Sequence, residues 1–261
     1  MNESKSNDIT SSADVRRIEQ FPLAQMLPIR ATYDVFVRSA SQHGRKTALR
    51  FLETAEPGGP EISWTYSELL EGINKTANLL HHLGITSNDV ISIMLPGCLE
   101  YHLALWGGEA AGIVNPVNPL LSESMMANLM ESAGTKVLIA YGGEGDSDYW
   151  RKAVNLMDKV STLVTILRVA PYGEDGALQS EELPEGILDF HQQISTQPGD
   201  RLISNRVIAP DEIAAYFHTG GTTGAPKIAK QTHYNQVFSA WAYSTMHNMR
   251  PTDCVIGGFP M

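Results

Sequence analysis

The segment DVISIMLPGCLEYHLALWGGEAAGIVNPVN, Asp89–Asn118, decides the fold class. Its first apolar run, DVISIMLP, is short and bounded by turn residues, so it reads as a strand; CLEYHLALWGGEAAG then reads as a helix and IVNPVN as a second strand. Strands that are almost wholly apolar, spaced by about 10–15 helical residues, belong to a parallel sheet covered on both faces, because each strand must bury both of its sides.

The alternation continues in both directions. Upstream, Ile62–Trp64 is strand-like, and Thr65 with Glu68 three residues later has the spacing of a capping box, so a helix is expected to start there. Leu69, Leu70, Ile73, Ala77, Leu80 and Leu83 recur at helical period, and Gly84 is placed to end the helix. Downstream, Ser122 opens a helix closed near Gly134, KVLIAY is a strand, Tyr149–Lys159 a helix and TLVTILRV a strand. The expected fold is α/β, a doubly wound and mostly parallel sheet with helices on both faces. From Ala170 the text turns to APYGEDGALQSEELPEG, a surface loop and a candidate lid edge. No internal repeat or long low-complexity run interrupts the pattern.

Composition narrows the function classes. The 261 residues, 43% hydrophobic and 18% charged, suffice for one large or two modest domains. A net charge of −10 argues against general attraction to nucleic acid or an anionic membrane, so an anionic ligand needs a local site. Cys98 and Cys254 are too few and too far apart for a disulfide framework or a zinc cluster, which makes a reducing cytoplasm the default. Residues 1–20 lack the apolar core of a secretory signal and read as a flexible tail. The most apolar stretch, Leu103–Leu121, carries Glu109, Asn115, Asn118 and two prolines, so it does not supply the roughly 20 apolar residues of a membrane span.

The chemistry concentrates in YFHTGGTTGAPKIAKQTH, Tyr216–His233. Glu212–His218 is expected as a buried strand and Thr232 onward as a helix, which puts the Gly/Thr loop at a strand's carboxyl end, where α/β sheets bind ligands. Gly220, Gly221 and Gly224 remove side chains so that backbone N–H groups crowd around phosphate oxygens. Thr219, Thr222 and Thr223 add hydroxyl donors, Lys227 a full positive charge, and Pro226 stiffens the exit. The Walker pattern G-x-x-x-x-G-K-S/T fails here, since Pro226 stands five residues after Gly221 and Ile228 follows the lysine.

This loop instead resembles the phosphate loop of the adenylate-forming superfamily, close to Y-T-S-G-S/T-T-G-x-P-K-G. Thr219, Gly221, Thr222, Thr223, Gly224, Pro226 and Lys227 match, and Thr232, His233 and Asn235 are similar to the family's downstream T-H-x-N. Gly220 replaces the usual serine, Ile228 the usual glycine and His218 the usual tyrosine. The resemblance extends over about Pro28–Met261, with a T-Y-x-E-L helix start at Thr65 and an A-G-x-x-x-P-x-N element from Ala111. It implies the N-terminal part of the large domain of an adenylate-forming enzyme. Residues 21–62 are then a helix and strand segment that packs on later sequence, 63–248 an α/β subdomain, and 249–261 the start of a second subdomain.

The resemblance implies a two-step ligation in the parent enzyme. A carboxylic acid, fatty or aromatic, attacks the α-phosphate of Mg·ATP to give acyl-adenylate and pyrophosphate, and the thiol of CoA then displaces AMP. Thr219, Gly220, Gly221, Thr222, Thr223, Gly224 and Lys227 bind the phosphates, and Lys227 stabilises departing pyrophosphate. DCVIGGFPM resembles the strand leading into the family's P-M/L-F-H, and the family's adenine, ribose and Mg²⁺ elements come later than this match. The expectation is an N-terminal portion, inactive alone, with self-association through unpaired surfaces. An adenylation domain serving a carrier protein and a non-catalytic nucleotide-binding or assembly module stay open as alternatives.

Other candidates carry blander readings. Gly143 and Gly145 fit only part of a dinucleotide loop, because Asp148 stands where the third glycine belongs, and Tyr149 breaks a G-x-S-x-G reading of Ser147. Cys98 and His102 sit one helical turn apart without a third ligand nearby, so no metal site is expected. His81 and His82 suit a helix C-terminus without further function, and a structural role is expected for His218.

Overall fold

The computed structural model describes residues 9–52, 54, 56–142, 148–170, 183–219 and 227–257. In chain order its elements are α1 (Ser12–Glu19), α2 (Leu23–Met26), α3 (Thr32–His43), β1 (Thr47–Leu52), β2 (Glu61–Thr65), α4 (Tyr66–His82), β3 (Val90–Met94), α5 (Leu99–Ala111), β4 (Ile113–Pro116), α6 (Glu123–Ala133), β5 (Thr135–Tyr141), α7 (Asp148–Met157), β6 (Thr165–Val169), β7 (Ile187–Asp189), α8 (Phe190–Ser195), β8 (Ile213–Thr219), β9 (Lys227–Thr232) and α9 (His233–Met246). Local chemistry sets several of these boundaries. Thr65 caps α4 by accepting the Glu68 N–H, and the Glu68 carboxylate accepts the Thr65 N–H at 2.7 Å. Ser122 caps α6, and Gly134 ends it at φ +74°, a left-handed conformation that costs glycine nothing.

β1 and β2 form an antiparallel ribbon, and the other strands form one sheet in the order β7-β6-β5-β3-β4-β8-β9. All its pairings are parallel except β8 with β9. Alternation along β5 shows why both faces are covered. Val137 and Ile139 belong to a core shared with α4, α5 and α8, whereas Leu138 and Ala140 join Met126, Met130, Ala153 and Leu156 of α6 and α7. Every residue of β3 is buried, as a strand inside a two-faced sheet requires.

One feature departs from the expectation. The stretch after the Gly/Thr loop enters an antiparallel strand, β9, before any helix begins, so the setting is strand, loop, strand, helix. β9 closes the β8 edge, where backbone N–H and C=O groups would otherwise stay unpaired. α3 packs on α4, α5 and α9. Tyr33 donates to Asn74 Oδ1 at 2.8 Å, and the Phe36 and Trp106 rings lie 5.1 Å apart.

After α8 the chain must travel from the β7 end of the sheet to β8, near the other end, and residues 196–212 make this crossing over α4 and α5. Asn78, fully buried on α4, donates to the Pro198 and Arg201 carbonyls and accepts the Ile203 N–H. Asn74 donates to the Gly199 carbonyl. Arg206 then donates to the Ala110 and Ala111 carbonyls at the C-terminus of α5, where those groups have no helical partner. Among the described residues no helix is long and apolar enough to cross a membrane.

Candidate functional site

β8 lies between β4 and β9, and its last residue, Thr219, is paired with Lys227, the first residue of β9. The Thr219 hydroxyl donates to the Lys227 carbonyl at 3.3 Å, so the two ends of the Gly/Thr loop are tied at its base. Both residues are exposed, and Lys227 makes no ion pair among the described residues. The remaining site residues, Gly220, Gly221, Thr222, Thr223 and Gly224, lie outside the described residues, as do Pro226, the glycines at 143 and 145, and most of the acidic loop after Ala170.

One strand position before Thr219, His218 is half-buried on β8, and neither ring nitrogen has a hydrogen-bond partner among the described residues. Burial holds its pKa below the ordinary imidazole value. On the same strand Tyr216 takes the Lys230 ammonium over its ring at 5.9 Å. Cys98 precedes the first residue of α5 without a side-chain capping bond, and burial pushes its thiol up to about 12, which leaves it protonated and unreactive at neutral pH. Burial also lowers the pKa of His102.

The Thr232–Asn235 segment begins α9. Thr232 accepts the Asn235 N–H, and Asn235 Oδ1 accepts the Thr232 N–H, a reciprocal cap that fixes the turn from β9 into the helix. His233, between them, is fully buried, and its Nδ1 lies 2.7 Å from the Thr32 hydroxyl of α3. Behind it, Gln236 donates to Oε1 of Glu109 at 2.8 Å; Glu109 is fully buried on α5. Arg206 pairs with Glu212 beside His233, and the His233 N–H donates to the Glu212 carbonyl. Sequence reading passed over Thr32 and Glu109. A lone acid in an otherwise apolar helix, Glu109 in LALWGGEAAG, was the available signal, but its partners are far away in sequence.

Burial pushes the Glu109 carboxyl up to about 7, partly opposed by Gln236 and Thr32. Burial pushes His233 down to about 4, with Arg206 lowering it further and Glu212 opposing. These shifts have opposite consequences for stability. The Glu109 contribution is fully present below its ordinary value of 4.5 and is lost as pH rises through about 7. That of His233 is present above 6.5 and is lost as pH falls through about 4. Thermal melting across this range should therefore show Glu109→Gln flattening the decline on the alkaline side; an unchanged decline would remove Glu109 as its source.

A cavity of about 520 Å³ opens among His81, Asn88, Arg206 and Glu212, at the amino ends of the parallel strands. Ligands of open α/β sheets bind at the opposite, carboxyl ends, and the Arg206 charge here is already satisfied by Glu212 and two carbonyls. No group of three His, Cys, Asp or Glu capable of holding a metal occurs among the described residues.

The family model of AMP-binding enzymes matches residues 36–261. This chain belongs to the AMP-binding enzyme family. The chain is 28% identical over 232 residues to a marinolic acid–CoA ligase of Pseudoalteromonas sp. (strain SANK 73390), a match covering 89% of this chain and 34% of that protein. It is 29% identical to a crotonobetaine/carnitine–CoA ligase of Salmonella arizonae (strain ATCC BAA-731 / CDC346-86 / RSK2980), covering 82% of this chain and 39% of the relative. Its fold is similar to that of a long-chain-fatty-acid–CoA ligase from Archaeoglobus fulgidus, with a TM-score of 0.70 at 19% identity, covering 88% of this chain and 42% of the other. The chain thus spans little more than a third of the length of the curated relatives it matches.

Proposed function

We propose that the chain is the N-terminal portion of an ATP-dependent acyl-CoA synthetase, in which Thr219–Lys227 holds the β- and γ-phosphates of ATP during acyl-adenylate formation. The observation that carries this reading is the pairing of Thr219 with Lys227, which closes the Gly/Thr loop at the carboxyl end of β8 and keeps the lysine at its base. A carboxylate oxygen attacks the α-phosphorus, the bond to the bridging oxygen breaks, and pyrophosphate leaves with the extra charge. Donors that meet this charge, here the Lys227 ammonium with the Thr219, Thr222 and Thr223 hydroxyls and the N–H groups of Gly220, Gly221 and Gly224, contribute about 3–4 kcal/mol each when well placed.

The CoA-ligase names of the relatives favour CoA as the thiol acceptor over a carrier protein. A fatty or aromatic acid is the substrate class of this reading, and the cytoplasm its setting. Mg²⁺ would accompany ATP, but no residue of this chain is assigned to hold it. Exposed apolar groups, among them Met246 at 75% and Ile256 at 91%, supply the surface for self-association.

The test is incubation of the purified chain with ATP, Mg²⁺, CoA and a panel of fatty and aromatic acids, alongside a titration with pyrophosphate. Pyrophosphate is expected to bind weakly and no acid-dependent AMP to appear. AMP released in proportion to an acid would overturn the fragment reading, and absence of any pyrophosphate binding would overturn the assignment of the loop.

A further inference from the structure

Glu109 is fully buried on α5, and its two carboxyl oxygens differ in their surroundings. Oε1 accepts the Gln236 amide N–H at 2.8 Å, whereas Oε2 has no hydrogen-bond partner among the described residues. A donor on Oε1 suits the carbonyl oxygen of a neutral acid and leaves the proton on Oε2. In the ionised form Oε2 would be a carboxylate oxygen with neither a donor nor water, and burying such a charge costs far more than burying an unpaired hydroxyl. The packing therefore holds Glu109 neutral, and burial pushes its carboxyl up in the same direction.

The helix that supplies Gln236 is lightly held. Of the fourteen residues of α9 only His233 and Val237 are buried, while Phe238, Tyr243 and Met246 are exposed. Two side-chain hydrogen bonds tie it to other helices among the described residues: His233 Nδ1 lies 2.7 Å from the Thr32 hydroxyl of α3, and Gln236 donates to Glu109. α5, by contrast, packs along α4 and on β3, β4 and β8. An element with so few buried contacts opens at lower cost than the sheet, so water reaches Oε2 by movement of α9 rather than of α5.

Burial, the Gln236 amide and the Thr32 hydroxyl act on the Glu109 carboxyl, with no charged group of the described residues among them. Tyr101, on α5 itself, is the phenol that feels Glu109 in turn. Arg206 and Glu212, beside His233, are paired with each other, as are Glu71 and Lys75 of α4. On α3 the Tyr33 hydroxyl is engaged by Asn74, β3 and β4 carry no ionisable side chain, and His218 lies at the far, carboxyl end of β8.

We propose that ionisation of Glu109 is coupled to release of α9: the carboxyl stays neutral while Gln236 covers it, and it gives the Oε2 proton to solvent when α9 lifts from α5 and admits water.

Amide exchange on the full chain, unaltered and as Glu109→Gln, tests this coupling. The glutamine keeps an oxygen for Gln236 and does not ionise. In the unaltered chain the amides of α9 should be less protected than those of β3 and β5, because α9 opens by itself. The carboxyl has its ordinary value of 4.5 when α9 is open and about 7 when it is closed, so the protection it supports is fully present below 4.5 and is lost as pH rises through about 7. Over α9 the ratio of protection in Glu109→Gln to that in the unaltered chain should therefore grow about 100-fold between about pH 4.5 and about pH 7.5 and then level off. His233 is the same in both chains and cancels from the ratio. A ratio that stays constant over α9, or α9 amides as protected as those of β3 and β5 in the unaltered chain, overturns the coupling. Should Glu109→Gln fail to fold, Glu109→Met takes its place, and carboxyl carbon NMR of the unaltered chain reads the acid directly: a midpoint near 7 is expected, and one near 4.5 overturns the proposal.

Discussion

Lys227→Ala, introduced into the enzyme of which this chain is proposed to be a portion, is expected to lower ATP–pyrophosphate exchange by about 100-fold to 1,000-fold while leaving the folded state intact. Its side chain is exposed at the start of β9 and makes no ion pair among the described residues, so removing it breaks no packing and leaves no partner uncompensated. The effect should therefore fall on the step where charge grows on pyrophosphate. A positive charge at the base of the loop interacts more strongly with the departing group than with bound ATP, which places the loss in kcat as well as in kcat/KM. Lys227→Arg should recover part of the rate, because it restores the charge but not the compact ammonium geometry. Unchanged exchange in Lys227→Ala, with melting also unchanged, would exclude the lysine from leaving-group stabilisation.

Gly107→Val is expected to harm the fold severely. On α5 a Cβ at Gly107 would stand 2.6 Å from the Thr76 Cβ and 3.0 Å from the Ile73 carbonyl oxygen, both on α4. Neither neighbour is the end of a flexible side chain, and Thr76 and Ile73 are fully buried, so the two helices must separate to admit even one methyl. Overpacking of a close helix contact costs about 3 kcal/mol. In a domain of this size that loss lowers Tm by about 10 °C. Gly84→Ala supplies the contrast. Gly84 has φ +83° with nothing within 4 Å of the added Cβ, so only backbone strain of about 1 kcal/mol is expected. Thermal or urea unfolding of the pair measures both, and equal destabilisation would show that close packing of α4 on α5 is not what Gly107 secures.

Some of this protein is written in short-range chemistry. The capping box of Thr65 and Glu68, the Ser122 cap and the Gly134 stop depend on residues three to five apart, and each forms where its spacing places it. Apolar runs such as Val90–Met94 announce strands buried on both sides, because only such strands dispense with a polar face. The order Thr219, Gly221, Thr222, Thr223, Gly224, Pro226, Lys227 likewise points to the adenylate-forming family, and the AMP-binding match over residues 36–261 agrees.

Other features exist only when distant segments meet. Lys227–Thr232 has too weak a pattern of its own to declare a strand, and its conformation is imposed by the open edge of β8. Asn74 and Asn78 interrupt an apolar stripe for no local reason; their amides are satisfied by the crossing segment at Pro198–Ile203. Glu109 reads in sequence as an ordinary charged residue, and becomes a buried acid poised near neutrality because α3 and α9 close over it. Sequence by itself determined those helices and buried strands whose period, run or cap is local, and the family their order belongs to. Tertiary structure alone decided that the Thr32 hydroxyl and His233 Nδ1, 201 residues apart in the chain, meet at 2.7 Å in the interior, because burial and partnership are properties of the packed interior.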